Sequence, residues 1–96
     1  MILTGKGELD AFTRKHADAK GWIDNWVADF EGSKFSSPQD IKNKYSTASF
    51  LANSTVIFNV KGNKYRLEAQ VAYKFSIINV LWVGTHEEYN KRNKSR

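Results

Sequence analysis

Between Val56 and Gln70, apolar and polar residues alternate on either side of a short break. Val56, Phe58 and Val60 lead into Lys61-Gly62-Asn63-Lys64, and Tyr65, Leu67 and Ala69 lead out of it. A period of two marks a strand with one buried face. Gly62-Asn63 between two such runs predicts a two-residue hairpin turn, because both residue types tolerate positive φ. Pairing Lys61 with Lys64 sets Val60 opposite Tyr65, Phe58 opposite Leu67 and Val56 opposite Ala69. All six then share one face. A slip of one residue would turn one strand's apolar set to water, so the register is strongly specified. The other face carries Asn59, Lys61, Lys64, Arg66, Glu68 and Gln70, a polar surface with Arg66 facing solvent.

Ile77–Thr85 (IINVLWVGT) is apolar at both parities, which predicts a central strand covered on both faces. Its parity is left open. Strands are thus predicted at 55–61, 64–74 and 77–85, with a helical turn over 86–92 and a mobile tail Lys94-Ser95-Arg96. Upstream, the period changes. Leu9, Ala11 and Phe12, with Arg14-Lys15 outward, predict an amphipathic helix over 8–16. Asp18 is the predicted cap of a second helix to about Glu31, whose stripe is Trp22, Ile23, Trp26, Val27 and Phe30. Gly32 stops it. Ser37-Pro38-Gln39-Asp40 has the form of a cap and first turn, opening a short helix to about Tyr45. Residues 46–54 read as a loop anchored to the core by Phe50-Leu51, and Met1–Thr4 as a short edge strand. Helices followed by an antiparallel meander make an α+β arrangement, a single domain over 1–96. The Trp22, Trp26 and Phe30 stripe is expected on the sheet face of Phe58, Leu67 and Val71, each large side chain contributing ~1.5–3 kcal/mol by burial.

Composition narrows the class. The 96 residues are 41% hydrophobic and 14% aromatic, which suits a folded core rather than a disordered chain. There is no cysteine, so neither disulfides nor thiolate metal sites are available. The start, MILTGKGELD, lacks the basic head and apolar segment of a signal peptide, and no long apolar run follows; the expectation is a soluble cytoplasmic protein without a membrane partner. Residues 1–60 hold seven basic and seven acidic side chains, whereas 61–96 hold eight basic and three acidic, so the whole net charge of +5 sits on the hairpins and tail. That asymmetry points to a polyanion, most simply nucleic acid; the plain alternative is a solvated basic face.

The candidate chemistry is cationic. His16 and His86 stand far apart with no carboxylate at ligand spacing, so no metal and no cofactor are expected. Gly5-Lys6-Gly7 is too short for a phosphate loop. Lys64 and Arg66 share one strand face. Folding 64–74 against 77–85 around Lys74-Phe75-Ser76 sets Tyr65 near Thr85, which brings His86, and Tyr89 one turn beyond, to the same rim. Such a set suits RNA cleavage without a metal. The ribose 2′-OH attacks the adjacent phosphate, a base takes its proton, a cation stabilises the charge and an acid protonates the leaving 5′-oxygen. Histidine titrates in the right range, and arginine grips phosphate through two donors at once. Each residue also has an ordinary reading: Arg66 as a solvent-facing strand residue, His86 as a turn cap, Tyr89 as core. His16 is assigned to the end of the first helix, meeting its last carbonyls. Trp22 and Trp26 are assigned to the core rather than to base stacking.

Two runs carry a resemblance: Phe58-Asn59-Val60-Lys61-Gly62-Asn63-Lys64-Tyr65-Arg66-Leu67 and Gly84-Thr85-His86-Glu87-Glu88-Tyr89, with weaker echoes at 15–19, 37–42 and 48–51. Over nearly its whole length the chain resembles the HigB toxins of bacterial type II toxin–antitoxin systems, a branch of the RelE-like mRNA interferases. The resemblance implies a RelE-like fold and an endoribonuclease that cuts mRNA, often on the ribosome. It also implies a HigA-type helix-turn-helix antitoxin, through which alone operator DNA would be met. The family's functional wording falls on Lys64, Arg66, His86 and Tyr89. Arg66 is assigned to the scissile phosphate with Lys64 assisting. His86 is assigned as acid or base, and Tyr89 positions the nucleotide or shares proton transfer; which residue is acid and which is base is left open. Lys61, Asn63, Lys74, Lys91 and Arg92 are assigned to flanking RNA. Asn90 stands where the family usually has Asp. The rival reading is a non-catalytic RNA- or ribosome-binding module, which stacking aromatics on the polar sheet face would favour; by sequence that face has none. A purely structural interaction domain is the third reading.

Overall fold

The structure, a computed structural model, describes residues 1–94. The chain runs β1 (Ile2–Thr4), α1 (Lys6–Lys15), a 3-10 turn at Ala17–Ala19, α2 (Lys20–Gly32), α3 (Pro38–Lys44), β2 (Ser49–Leu51), β3 (Thr55–Val60), β4 (Tyr65–Ala72), a 3-10 turn at Tyr73–Phe75, β5 (Ile77–Thr85) and α4 (His86–Lys94). The five strands form one sheet in the order β1-β5-β4-β3-β2, antiparallel except for β1, which runs parallel to β5. The core joins Leu9, Phe12, Ile23, Trp26, Phe30 and Ile41 to one sheet face, formed by Val56, Phe58, Val60, Leu67, Ala69 and Val71 with Ile78 and Val80. Trp26 and Phe30 meet Phe58 edge-on at 5.4 and 5.6 Å between ring centroids, so the predicted stripe lies on the predicted face.

The hairpin register is as the alternation requires: Val60 opposite Tyr65, Phe58 opposite Leu67, Val56 opposite Ala69. The turn differs. Its left-handed residues are Lys61 (φ 52°) and Gly62 (φ 69°), one position earlier than expected. Asn63 is thereby free to turn its carbonyl and side chain toward Arg66.

Parity in β5 is decided by a bulge. Glu68 pairs with Trp82 and Ala69 with Val80, which leaves Leu81 without a partner. An extra residue in one strand resets the alternation beyond it. Ile78 and Val80 therefore face the helical core, while Trp82 and Gly84 face the opposite side. β5 is not covered throughout on both faces as predicted: Leu81, squeezed out of the pairing at the bulge, is 38% exposed.

The helix signals fare unevenly. Ser37 caps α3, its hydroxyl accepting from the Asp40 N–H at 3.3 Å, with Pro38 at the first helical position. Asp18 does not cap α2; it sits in the 3-10 turn, and its carboxylate is taken up by Lys64 and Tyr65 across the molecule. Phe50 and Leu51, expected in the core, are 38% and 40% exposed, because residues 49–51 pair with β3 as an edge strand instead of folding inward as a loop. Of the expected mobile tail, Lys94 ends α4, and Ser95 and Arg96 lie outside the described residues.

Candidate functional site

Arg66 lies near the start of β4, opposite Asn59 of β3 and Gly84 of β5. It is on the face away from the helical core, as the alternation demands, but it is not solvent-facing: it is 8% exposed. The bulge is the physical reason. It places Trp82 and Gly84 on this face. An added Cβ at Gly84 would lie 2.5 Å from the Trp82 ring, so the indole lies directly over the glycine that faces Arg66. Tyr89 of α4 adds a second ring, 6.2 Å from Trp82. The guanidinium donates to the Asn63 carbonyl (3.2 Å), the Tyr65 carbonyl (3.1 Å) and Asn63 Oδ1 (2.6 Å). Among the described residues no carboxylate comes within ion-pair distance of it. Burial lowers its pKa and the neighbouring Tyr89 opposes that shift. An arginine stays protonated regardless, so this is a fixed positive charge held by neutral oxygens.

Lys64 does not share this face. Its ammonium pairs with Asp18, on the helical side of the sheet, where the Tyr65 hydroxyl donates to the other carboxylate oxygen at 2.7 Å. The Lys64 and Tyr65 hydrogen bonds hold the Asp18 pKa down at about 2, from an ordinary 3.8. Lys61 donates to the Asp18 carbonyl at 3.0 Å. One residue thus ties down both flanks of the turn whose Asn63 orients Arg66.

His86 opens α4, and its N–H donates to the Lys64 carbonyl at 3.2 Å, which fixes it at the rim beside the start of β4. Its Nδ1 is buried and has no hydrogen-bond partner among the described residues. It is not the cap of the turn. That role belongs to Thr85, whose hydroxyl accepts from the Glu88 N–H at 3.1 Å while Glu88 Oε1 accepts from the Thr85 N–H at 2.8 Å. The reciprocal pair is a capping box, legible as Thr85-His86-Glu87-Glu88 but not picked out above. Asn90 is exposed on α4.

The flanking cations are dispersed. Arg92 lies over the Trp82 ring at 5.3 Å and pairs with Glu68 at 3.5 Å; Lys91 pairs with Glu87 at 3.7 Å. Lys74 sits in the turn at the far end of the β4–β5 hairpin, 6.0 Å from the Phe75 ring. Strand rise alone puts it roughly 20 Å or more from Arg66. Arg66, His86 and Tyr89 are thus gathered, Asn63 supports them, and Lys64 and Lys74 are directed elsewhere. Three residues were missed. Glu68 is 4% exposed beneath Arg92, and Trp82 was hidden by the parity of β5. Asp18 was read only as a cap. His16 ends α1, but its ring stacks on Phe12 at 4.6 Å.

Among the described residues, no group of three His, Asp or Glu side chains is placed to hold a metal, and no helix is long and apolar enough to cross a membrane. A mixed five-stranded sheet with the first three helices on one face, and on the other α4 with a buried arginine beside a histidine and two aromatic rings, defines a small α+β protein with a cationic rim. Residues 19–92 match the HigB toxin family, described as the RelE-like toxic component of a toxin–antitoxin system, and the chain belongs to that family. No match is found among curated proteins. Membership makes the chain a toxin component, and an antitoxin is its implied partner.

Proposed function

We propose that this toxin is a cytoplasmic endoribonuclease that cleaves mRNA on the ribosome without a metal, and that a HigA-type helix-turn-helix antitoxin silences it and provides the only contact with operator DNA. The observation that carries the reading is Arg66: a buried cation, oriented by Asn63 and bonded, among the described residues, only to neutral oxygens, beside a histidine whose buried ring nitrogen has no partner among them. A scissile phosphate bound here meets donors that Asn63 and Tyr65 leave over. In a site with little water, such a preorganised charge acts strongly on the developing oxyanion. The 2′-oxygen bonds to phosphorus and gives its proton to a base. The bond to the 5′-oxygen breaks, and an acid protonates that oxygen. In this reading His86 and Tyr89 divide these roles. Lys64, held by Asp18, secures the turn rather than touching phosphate. Lys61, Lys91 and Arg92 lie nearer the rim than Lys74 and serve the flanking strand.

The test is end-group mapping of RNA cut by the purified protein, alone and with ribosomes, in excess chelator where the assay tolerates it. Products ending in a 2′,3′-cyclic or 3′-phosphate and a 5′-hydroxyl are expected; products bearing a 5′-phosphate would overturn the mechanism. One observation favours a second reading, a non-catalytic RNA-binding module: Trp82 and Tyr89 supply the aromatic rings on the polar face. RNA binding without cleavage under every condition, with induced expression leaving growth unaffected, would favour that reading.

A further inference from the structure

β2 covers β3 only from Thr55 to Ile57. Beyond its end, the uncovered stretch of β3 and the 61–64 turn border an open cleft of about 500 Å³, within the roughly 300–1,000 Å³ of small-ligand sites. One wall is Trp22, its ring 6.0 Å from that of Tyr45. Trp22 belongs to the same helical stripe as Trp26, yet Trp26 is fully buried and Trp22 is not. Its assignment to the closed core is therefore corrected: one part of the indole packs on the core and another lines the cleft. Two hydrogen bonds tie this wall to α2: the Tyr45 hydroxyl and the Lys44 ammonium both donate to the Asp29 carboxylate. Asn59, Asn63 and Ser46 line the same cleft.

These two asparagines connect the cleft to Arg66. Asn59 is the cross-strand partner of Arg66. Asn63 accepts from the guanidinium through both its oxygens, and its amide nitrogen makes no hydrogen bond among the described residues. Around its aromatic wall the cleft presents two asparagines and the Ser46 and Thr47 side chains, and its one lining cation, Lys44, is already paired with Asp29. Such groups read the edge of a base; phosphate is left to Arg66.

We propose that this cleft is a base-binding subsite for single-stranded RNA, in which a nucleotide next to the phosphate at Arg66 stacks on Trp22 while Asn59 and Asn63 meet its edge. This rests on the reading of the protein as one that acts on RNA. Unstacked bases taken up by aromatic side chains and amides are the usual means of sequence-selective RNA recognition. Losing one stacked base weakens binding by about tenfold or more.

The test uses short fluorescent oligoribonucleotides made uncleavable by 2′-O-methyl groups, with a single abasic position moved along the strand, and anisotropy to read affinity. In the native protein, one abasic position is expected to weaken binding about tenfold, with its neighbours affected much less. Trp22→Leu should weaken the intact strand by a similar factor and lose sensitivity to that position, while Trp22→Phe restores most of both. Asn59→Ala, outside the helical core, should change which base is preferred there, and circular dichroism confirms that each variant is folded. Equal affinity for the intact strand and every abasic strand, or sensitivity unchanged in Trp22→Leu, overturns the subsite while leaving the RNA reading standing. No binding of any oligonucleotide overturns the RNA reading, and the subsite with it.

Discussion

Arg66 shows how far one side chain can be from its expected setting without changing its chemistry. Its burial alters what a substitution does. Arg66→Ala leaves three oxygens of Asn63 and Tyr65 without their donor, so a loss of ~1–3 kcal/mol in stability is expected alongside a fall in cleavage. Removing one preorganised donor costs ~10²–10³ in rate. Urea unfolding and cleavage should be measured on the same preparation; a rate within tenfold of the native protein, under conditions where the variant is folded, would count against the role. Arg66→Lys should remain impaired, since a point charge does not reproduce the guanidinium fork. Asp18 gives a pH prediction. Its folded pKa, about 2, lies below the ordinary 3.8 because Lys64 and Tyr65 bond the ionised form. A depressed carboxylate stabilises the fold above its unfolded pKa and loses that contribution as pH falls through the folded value. The stability difference between the native protein and Asp18→Asn should be constant from roughly pH 7 to 5 and shrink between about pH 4 and 2. A difference that persists undiminished at the acid end would show that the carboxylate's charge is not what Lys64 and Tyr65 hold.

At the scale of elements, the second face of the sheet depends on a bulge, a glycine and a cap. Gly84 is required because an added methyl would lie 2.5 and 2.7 Å from two atoms of the Trp82 ring and 3.0 Å from Glu88 Oε1. Gly84→Ala should therefore push the indole off this face at a cost of ~1–3 kcal/mol, seen as changed tryptophan emission; an unchanged spectrum with full stability would mean the ring has room to spare. Helix α4 brings Tyr89 and Arg92 over the same face and has little apolar surface to hold it down. Its capping box then matters more than usual. Thr85→Ala should cost ~1 kcal/mol, and amide exchange in α4 should quicken while β3 and β4 stay protected. Uniform acceleration across the sheet would instead mean that α4 and the sheet open as one unit.

For the molecule as a whole, the charge asymmetry of the chain is partly spent inside it. Lys64, Arg92 and Lys91 pair with Asp18, Glu68 and Glu87. Single-stranded RNA binding should weaken linearly in log affinity against log salt, with a slope of about −0.7 per phosphate neutralised. The eight cations of residues 61–96 set an upper limit, and the internal pairs should hold the slope well below it. Anisotropy across a salt series gives the number directly. Lys74→Ala should leave that slope unaltered, because Lys74 sits at the opposite end of its hairpin; a slope reduced by about one phosphate would put Lys74 back on the RNA path.

The alternation of Val56 to Ala69 determined the hairpin register by itself, since only one pairing keeps six apolar residues out of water. The helical stripe and the Ser37-Pro38 start were equally local signals, and the two family runs pointed to a HigB-like chain because their residues lie close together in sequence. What the sequence could not settle were the long-range choices. Asp18 looked like a cap until the fold brought Lys64 and Tyr65 to it, and Phe50-Leu51 looked like an anchor until residues 49–51 found a strand edge. Trp22 looked like core until the end of β2 left a cleft beside it. The parity of β5 mattered most. A strand apolar at both parities carries no periodicity to read, so only pairing with β4, with Leu81 squeezed out, could decide that Trp82 and Gly84 share the face of Arg66. That single extra residue turns an exposed polar face into a partly enclosed site, because resetting the alternation carries an aromatic ring to the side where the sequence shows none.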